Sequence, residues 1–290
     1  HHAAGAKQFE LVGEAHGALS HHQRSLYGAR LVLLRSPQRS LRFGRNTLAL
    51  AGEDSLNHNR PMIADNGPTL LCAAYQRVLE ASTEEWASRV GPGPSLTVQA
   101  TEDGAYRFSP GGLCFPNRWA FVEAMICGFA WPRLGSLLAN PFSSWRAIQS
   151  LRGASAAMKG DFGPDVKVAI GLRSGLAAAE VYGREDSQCA EAMSREAPGC
   201  VVFAVADASV SAWFSHGDDG FQSGGGEPSQ AVDARIIFRD METALRAVET
   251  GLDPLVAPAA GQVKVSGRIP LAEAVGYVAD KASRDLILPK

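Results

Sequence analysis

The chain has no run of about 18 apolar residues, so its sequence predicts no membrane span. It has no block of five like charges either, and its formal net charge is −2. Neither the basic footprint of a nucleic-acid binder nor a polybasic patch for anionic lipid is therefore expected. Cysteine is sparse: Cys72, Cys114, Cys127, Cys189 and Cys200 are scattered with no C-x-x-C spacing. Such spacing predicts free, buried thiols in a reducing compartment and a cytoplasmic location, with one disulfide left open as an alternative. No charged segment leads into a short apolar one near residue 1, so no signal peptide is expected. What the chain does have is ordinary for a folded protein: 46% hydrophobic and 20% charged residues over 290 positions, enough for one large domain or two of average size.

Along the chain, residues 6–34 read as helical, and alternation near 40–44 and 47–50 suggests short strands. The polar stretch 56–68 reads as a loop, and Thr69 as the cap of a helix that stops before Gly91-Pro92-Gly93-Pro94. Leu96–Gln99 and Tyr106–Phe108 flank an Asp-Gly turn and predict a hairpin. Trp119–Trp131 is the most apolar stretch and predicts a buried helix; Phe142 and Trp145 continue its aromatic character. Those aromatics read as core, with a ligand or a membrane interface as the alternative.

Glycine-rich 160–164 marks the expected boundary between two halves. Beyond it Val166, Val168, Ile170 and Leu172 alternate as in a strand, and 187–197 reads as a helix. Strands at 201–206 and 209–216, a turn-rich segment at 217–229 and a strand at 232–238 follow. Asp240 caps a helix that Gly251 ends, then come a strand at 262–267 and a final helix with Leu271, Val275 and Val278. A helix followed by a hairpin occurs in both halves. Degenerate duplication and chance recurrence both account for that.

Asp240, Thr250-Gly251, Asp253-Pro254, Gly261, Val263-x-Val265-x-Gly267 and Leu271 occur in the order seen in the sterol-carrier-protein-2 (SCP2) family, and the C-terminal third resembles that family. Ala259 and Ala260 stand where family members often carry aromatics. The resemblance implies an α+β fold in which helices cover a mixed sheet. It implies a hydrophobic ligand, such as a lipid, sterol, isoprenoid or polyketide-like compound, held in an apolar cavity. The residues expected to line it are Ile236, Phe238, Leu245, Val248, Leu252, Leu255, Ile269, Leu271 and Val275. Residues 161–290 would form this domain and 1–160 an α+β region of their own. No cofactor is expected. An enzyme of isomerase or cyclase type, built on the same pocket, is one alternative. An accessory interaction protein without a ligand is the other. For assembly, a homodimer and a partner enzyme both stay open.

Other chemical signals have plainer readings. Glu14, His16, His21 and His22 do not share a helix face, so no metal site is expected. Gly171-Leu172-Arg173-Ser174-Gly175 misplaces its serine for a nucleophile elbow and reads as a turn. His216, Asp218 and Asp219 offer acid–base groups but read better as a polar hairpin loop. Gly224-Gly225-Gly226 lacks the lysine and helix start of a phosphate loop and reads as a flexible turn.

Overall fold

The computed structural model describes residues 67–91, 93–127 and 132–286. The expectations for 6–34, 40–50 and 56–66, with Glu14, His16, His21 and His22, lie outside the described residues.

Helix α1 (Gly67–Arg89) begins ahead of Thr69, which lies in its first turn instead of capping it. It ends before Gly91, where the glycine–proline series cannot continue a helix. The hairpin follows as β1 (Thr97–Ala100) and β2 (Tyr106–Ser109), antiparallel, and β3 (Cys114–Phe115) completes a sheet of order β1-β2-β3. As an edge strand, β1 has backbone groups without a strand partner. Side chains of α1 supply them. Gln76 Nε2 donates to Val98 O at 2.6 Å, Val98 N to Glu80 Oε1 at 2.8 Å, and Leu96 N to Thr83 Oγ1 at 3.0 Å. Residues 76, 80 and 83 share a helix face at spacings of four and three.

Helix α2 (Arg118–Cys127) buries Phe121, Val122 and Ala124, as expected, although Trp119 stays half exposed. Next come α3 (Leu134–Ala139) and α4 (Pro141–Lys159). The core reading of Phe142 and Trp145 fails, because they are 86% and 56% exposed. Helix α4 turns a different face inward, made of Ser144, Ala147, Ser150, Ala154 and Ala157.

The larger correction is α5 (Pro164–Glu185), which contains both the strand expected at 166–172 and the turn expected at 171–175. The alternation there is real but misleading, since Ala169 and Gly171 between the larger residues are equally buried. A helix buried nearly all round shows no polar face to reveal its period. Pro164 suits the first turn, where its missing N–H costs nothing.

Helix α6 (Ser187–Ser194) is capped by the Asp186 carboxylate, which accepts from the N–H of Gln188 and of Cys189. The second sheet contains β4 (Gly199–Val205), β5 (Ser211–Gly217), β6 (Gly220–Gly225), β7 (Ala234–Phe238) and β8 (Val263–Gly267) in the order β6-β5-β4-β7-β8. Strand β6 occupies half of the segment expected to be turn-rich. Its small residues lack strand propensity, but pairing with β5 decides the outcome. Strand β7 lies parallel to β4 and the other pairs are antiparallel, so the sheet is mixed. Helices α7 (Met241–Glu249), α8 (Val256–Ala259) and α9 (Ile269–Asp285) complete the described chain. Asp240 caps α7 through Thr243 N, and Gly251 beyond its end has φ 77°, both as the sequence predicts. The protein is α+β. Both halves carry a helix followed by a three-stranded antiparallel meander, and the second adds β7 and β8.

Helix α5 is the central element. It packs against α1 and α4 and also against β5, β6, α6, α7 and α9. Along α1 the contact is a polar ladder. Arg77 grips Glu180 at 2.7 and 3.2 Å, the Ser82 and Ser174 hydroxyls lie 3.1 Å apart, and Arg173 Nη2 donates to Glu84 at 3.0 Å. As one partner number rises the other falls, so the two helices run antiparallel. The boundary expected between 1–160 and 161–290 coincides with the short α4–α5 connection. One apolar cluster nevertheless runs through both sides of it, from Tyr75 and Phe108 to Phe214 and Val275.

Candidate functional site

Alternation in β7 sends Ala234, Ile236 and Phe238 to the face that the helices cover, and the register aligns them with Val201, Phe203 and Val205 of β4. On β8 the aligned residues are Val265 and Val263. Helix α7 presents Ala244, Ala247 and Val248 inward, and α9 presents Leu271, Val275 and Val278. Of the nine residues expected to line a cavity, Ile236, Phe238, Val248, Leu252, Leu271 and Val275 are buried in the same apolar cluster. Leu245 packs against that cluster and is partly buried.

The other two stand apart. Leu255 and Ile269 are 59% and 49% exposed. They also flank opposite ends of β8, because Leu255 precedes the Val263 end and Ile269 follows the Gly267 end. The nine residues thus form a closed layer plus two surface positions.

How tightly the layer closes varies along it. Where α5 crosses α7 there is no room: a Cβ on Gly171 would lie 2.4 Å from a methyl carbon of Val248. Toward β8 the apolar surface continues outward through partly buried Met241, Leu245 and Val265. Ahead of β8, Leu255 and Val256 are each 59% exposed next to buried Ala257, whose carbonyl accepts from Gln262 N at 2.9 Å.

A recess of about 270 Å³ lies where α1, α5 and β6 meet, and Glu84, Glu85, Ser88, Arg89, Arg173, Gly225 and Gly226 line it. Its charges are already matched in pairs, Glu84 with Arg173 and Glu85 with Arg89. Arg173 is buried, and its Nη1 donates to Ser223 at 2.6 Å. A Cβ on Gly225 would meet Glu85 Oε2, so a larger residue there would displace that carboxylate. These groups hold three elements together and leave no charge unmatched for a ligand. Sequence reading missed them. The available signal was the reversed pair of charges at equal separation, Arg77 with Glu84 and Arg173 with Glu180.

The remaining motifs resolve structurally. Asp218 and Asp219 form the exposed two-residue turn between β5 and β6, while His216 stacks on Phe221 with ring centroids 5.1 Å apart. Gly224 and Gly225 belong to β6, and Gly224 lies under the Trp213 indole. Cys72, Cys114, Cys189 and Cys200 are free and buried, as expected. Burial pushes the Cys189 thiol up to about 12, with the Asp186 carboxylate adding to the effect, and burial raises Cys72 and Cys200 also. A protonated, buried thiol is a poor nucleophile. Among the described residues no three His, Cys, Asp or Glu side chains gather as metal ligands, and no helix is long and apolar enough to cross a membrane.

No family model matches the sequence, and no curated protein matches it. Among solved structures the chain is similar to one titled UbiJ-SCP2 ubiquinone synthesis protein, at 18% identity and a TM-score of 0.29, covering 40% of this chain and 92% of that one. It is also similar to the stereoselective inverting sec-alkylsulfatase Pisa1 from Pseudomonas sp., at 13% identity and a TM-score of 0.22, covering 59% of this chain and 31% of that one. At such TM-scores neither likeness bears on ligand or reaction.

Proposed function

We propose that the protein binds a hydrophobic small molecule, such as a lipid, sterol, isoprenoid or polyketide-like compound, between the covered face of β7 and β8 and helices α7 and α9. One observation carries this reading: the apolar layer that holds Ile236, Phe238, Leu271 and Val275 includes Ala257 of α8 and has partly buried Leu245 and Val265 packed on it, and exposed Leu255 and Val256 directly precede Ala257 in the chain. A closed core ordinarily ends in a polar rim, whereas an apolar path from interior to surface suits the entry of an apolar ligand. In this reading the mouth lies at the α7–α8–β8 edge. Ile269, at the far end of β8, takes no part in it.

The jammed contact between Gly171 and Val248 favours the competing reading, a packed interaction domain without a ligand. The two readings differ at Leu245. Leu245→Lys can keep its ammonium in water while its stem spans the mouth. We expect that variant to fold but to lose binding of a fluorescent fatty acid that the unmodified protein binds. Val248→Glu, a charge buried at the jammed crossing, should unfold in either case. Absence of fatty-acid and sterol binding by the unmodified protein would leave the packed domain as the account.

A further inference from the structure

Among the described helices, α4 has a surface that the core does not explain. Its sequence, PFSSWRAIQSLRGASAAMK, contains no acidic residue. Positions 142, 145, 149, 152, 156 and 159 recur at helical spacing and form one stripe away from the buried face. Phe142 and Trp145 begin that stripe, and Leu138, four residues earlier in the last turn of α3, is 81% exposed. Arg152 and Lys159 continue it, with Arg146 beside Trp145. All three cations are exposed, and among the described residues none of them makes an ion pair.

We propose that this stripe docks the protein on an anionic membrane surface, with Leu138, Phe142 and Trp145 inserted at the headgroup level. Exposed Trp and Phe beside unpaired Arg and Lys is the combination that holds a helix in a membrane interface. Charge complementarity selects the occupant: a purely cationic stripe attracts anionic lipid and repels a second copy of itself. The polarity runs along the helix as well as around it. Arg152 lies about 15 Å and Lys159 about 25 Å beyond Phe142, from the rise per residue. The helix therefore meets the surface obliquely. Its first turn enters to the usual depth of about 5–10 Å, and the cations stay among the phosphates. No contiguous basic block announces this in the sequence, because three dispersed cations become neighbours only on the helix.

The docking requires no bound ligand, so the test is independent of the preceding proposal. The full chain is sedimented with vesicles of phosphatidylcholine, or with vesicles in which about one third is phosphatidylserine. Binding is expected only to the anionic vesicles and should weaken as salt screens the cations. Phe142→Ser with Trp145→Ser should lower the partition coefficient about tenfold or more without lowering the melting temperature, since both side chains are exposed. Arg146→Gln with Arg152→Gln and Lys159→Gln, which keeps the aromatics, should lower it about a hundredfold. Failure to sediment with anionic vesicles overturns the proposal. So does binding that both variants retain. Self-association abolished by the serine variant would assign the face to a second copy and overturn it too.

Discussion

Strand β7 and helix α5 lie in one core, yet they are held there by different means. In β7 every second residue is apolar and inward, and its neighbours across the sheet are apolar as well. Helix α5 has no exposed residue between Val166 and Gly183. Its apolar residues meet the sheet and its helices, while Arg173, Ser174 and Glu180 are matched with Glu84, Ser82 and Arg77 of α1. Hydrophobic contact is non-directional and tolerates small shifts, whereas a buried ion pair holds only in good geometry. The α1–α5 contact is therefore the one set by directional bonds. On the proposed reading, a ligand would enter at the α7–α8–β8 edge, where the packing is apolar.

Four experiments strain this contrast, in descending order of effect. Glu180→Ala leaves Arg77 the longer 3.7 Å pair with Glu80, whereas Arg77→Ala leaves a carboxylate whose side chain is 6% exposed. Arg77→Ala is expected to cost about 3–5 kcal/mol in chemical denaturation and Glu180→Ala less, and the exchanged pair Arg77→Glu with Glu180→Arg should recover part of the loss. Additive effects in that cycle would show that the ladder does not couple the helices. Gly171→Val forces a side chain against Val248 and should cost about 1–3 kcal/mol, with little change in fatty-acid binding if the mouth lies elsewhere. Gly251→Val places a β-branched residue at φ 77° and should cost about 1 kcal/mol or more; an unchanged melting temperature would contradict the helix end described for α7.

The smallest effect concerns the thiols. Cys72, Cys114, Cys189 and Cys200 should resist a disulfide reagent in the native protein and react once urea unfolds it. For Cys189 the folded-state pKa is raised from 9.0 to about 12, so folding favours the protonated thiol. Its contribution to stability is fully present below about 9 and is lost as pH rises toward 12.

The same contrast separates what the sequence discloses from what it hides. Asp240, Gly251 and the alternation in 232–238 are local signals with local causes, and α7 and β7 appear where they place them. The hairpin around Asp103-Gly104 is equally local. The α5 helix is misread because its surroundings, not its own residues, decide its state: Val166 to Leu172 would suit a strand if α1 and the sheet did not bury both sides. Arg173 reads as part of a turn until Glu84 and Ser223, both distant in sequence, are brought to it. Of the candidate site, six residues fall into the buried layer because periodicity identifies inward faces. Leu255 does not, since it lies in the connection between α7 and α8, and Ile269 does not, since it opens α9 ahead of that helix's first inward residue, Leu271.

Whether 161–290 folds alone is open to a direct trial at the connection at 160–163. Expressed by itself it would expose Glu180 and Arg173 without Arg77 and Glu84. We expect a protein cut at this connection to stay associated, and the isolated segment to be far less stable than the whole.

The ligand is the central claim, and native mass spectrometry of the full chain tests it most directly. After gentle purification and incubation with a total lipid extract, the account expects the protein with one bound apolar molecule, which solvent extraction releases and Leu245→Lys prevents from binding. A bare chain that stays bare after that incubation would contradict it.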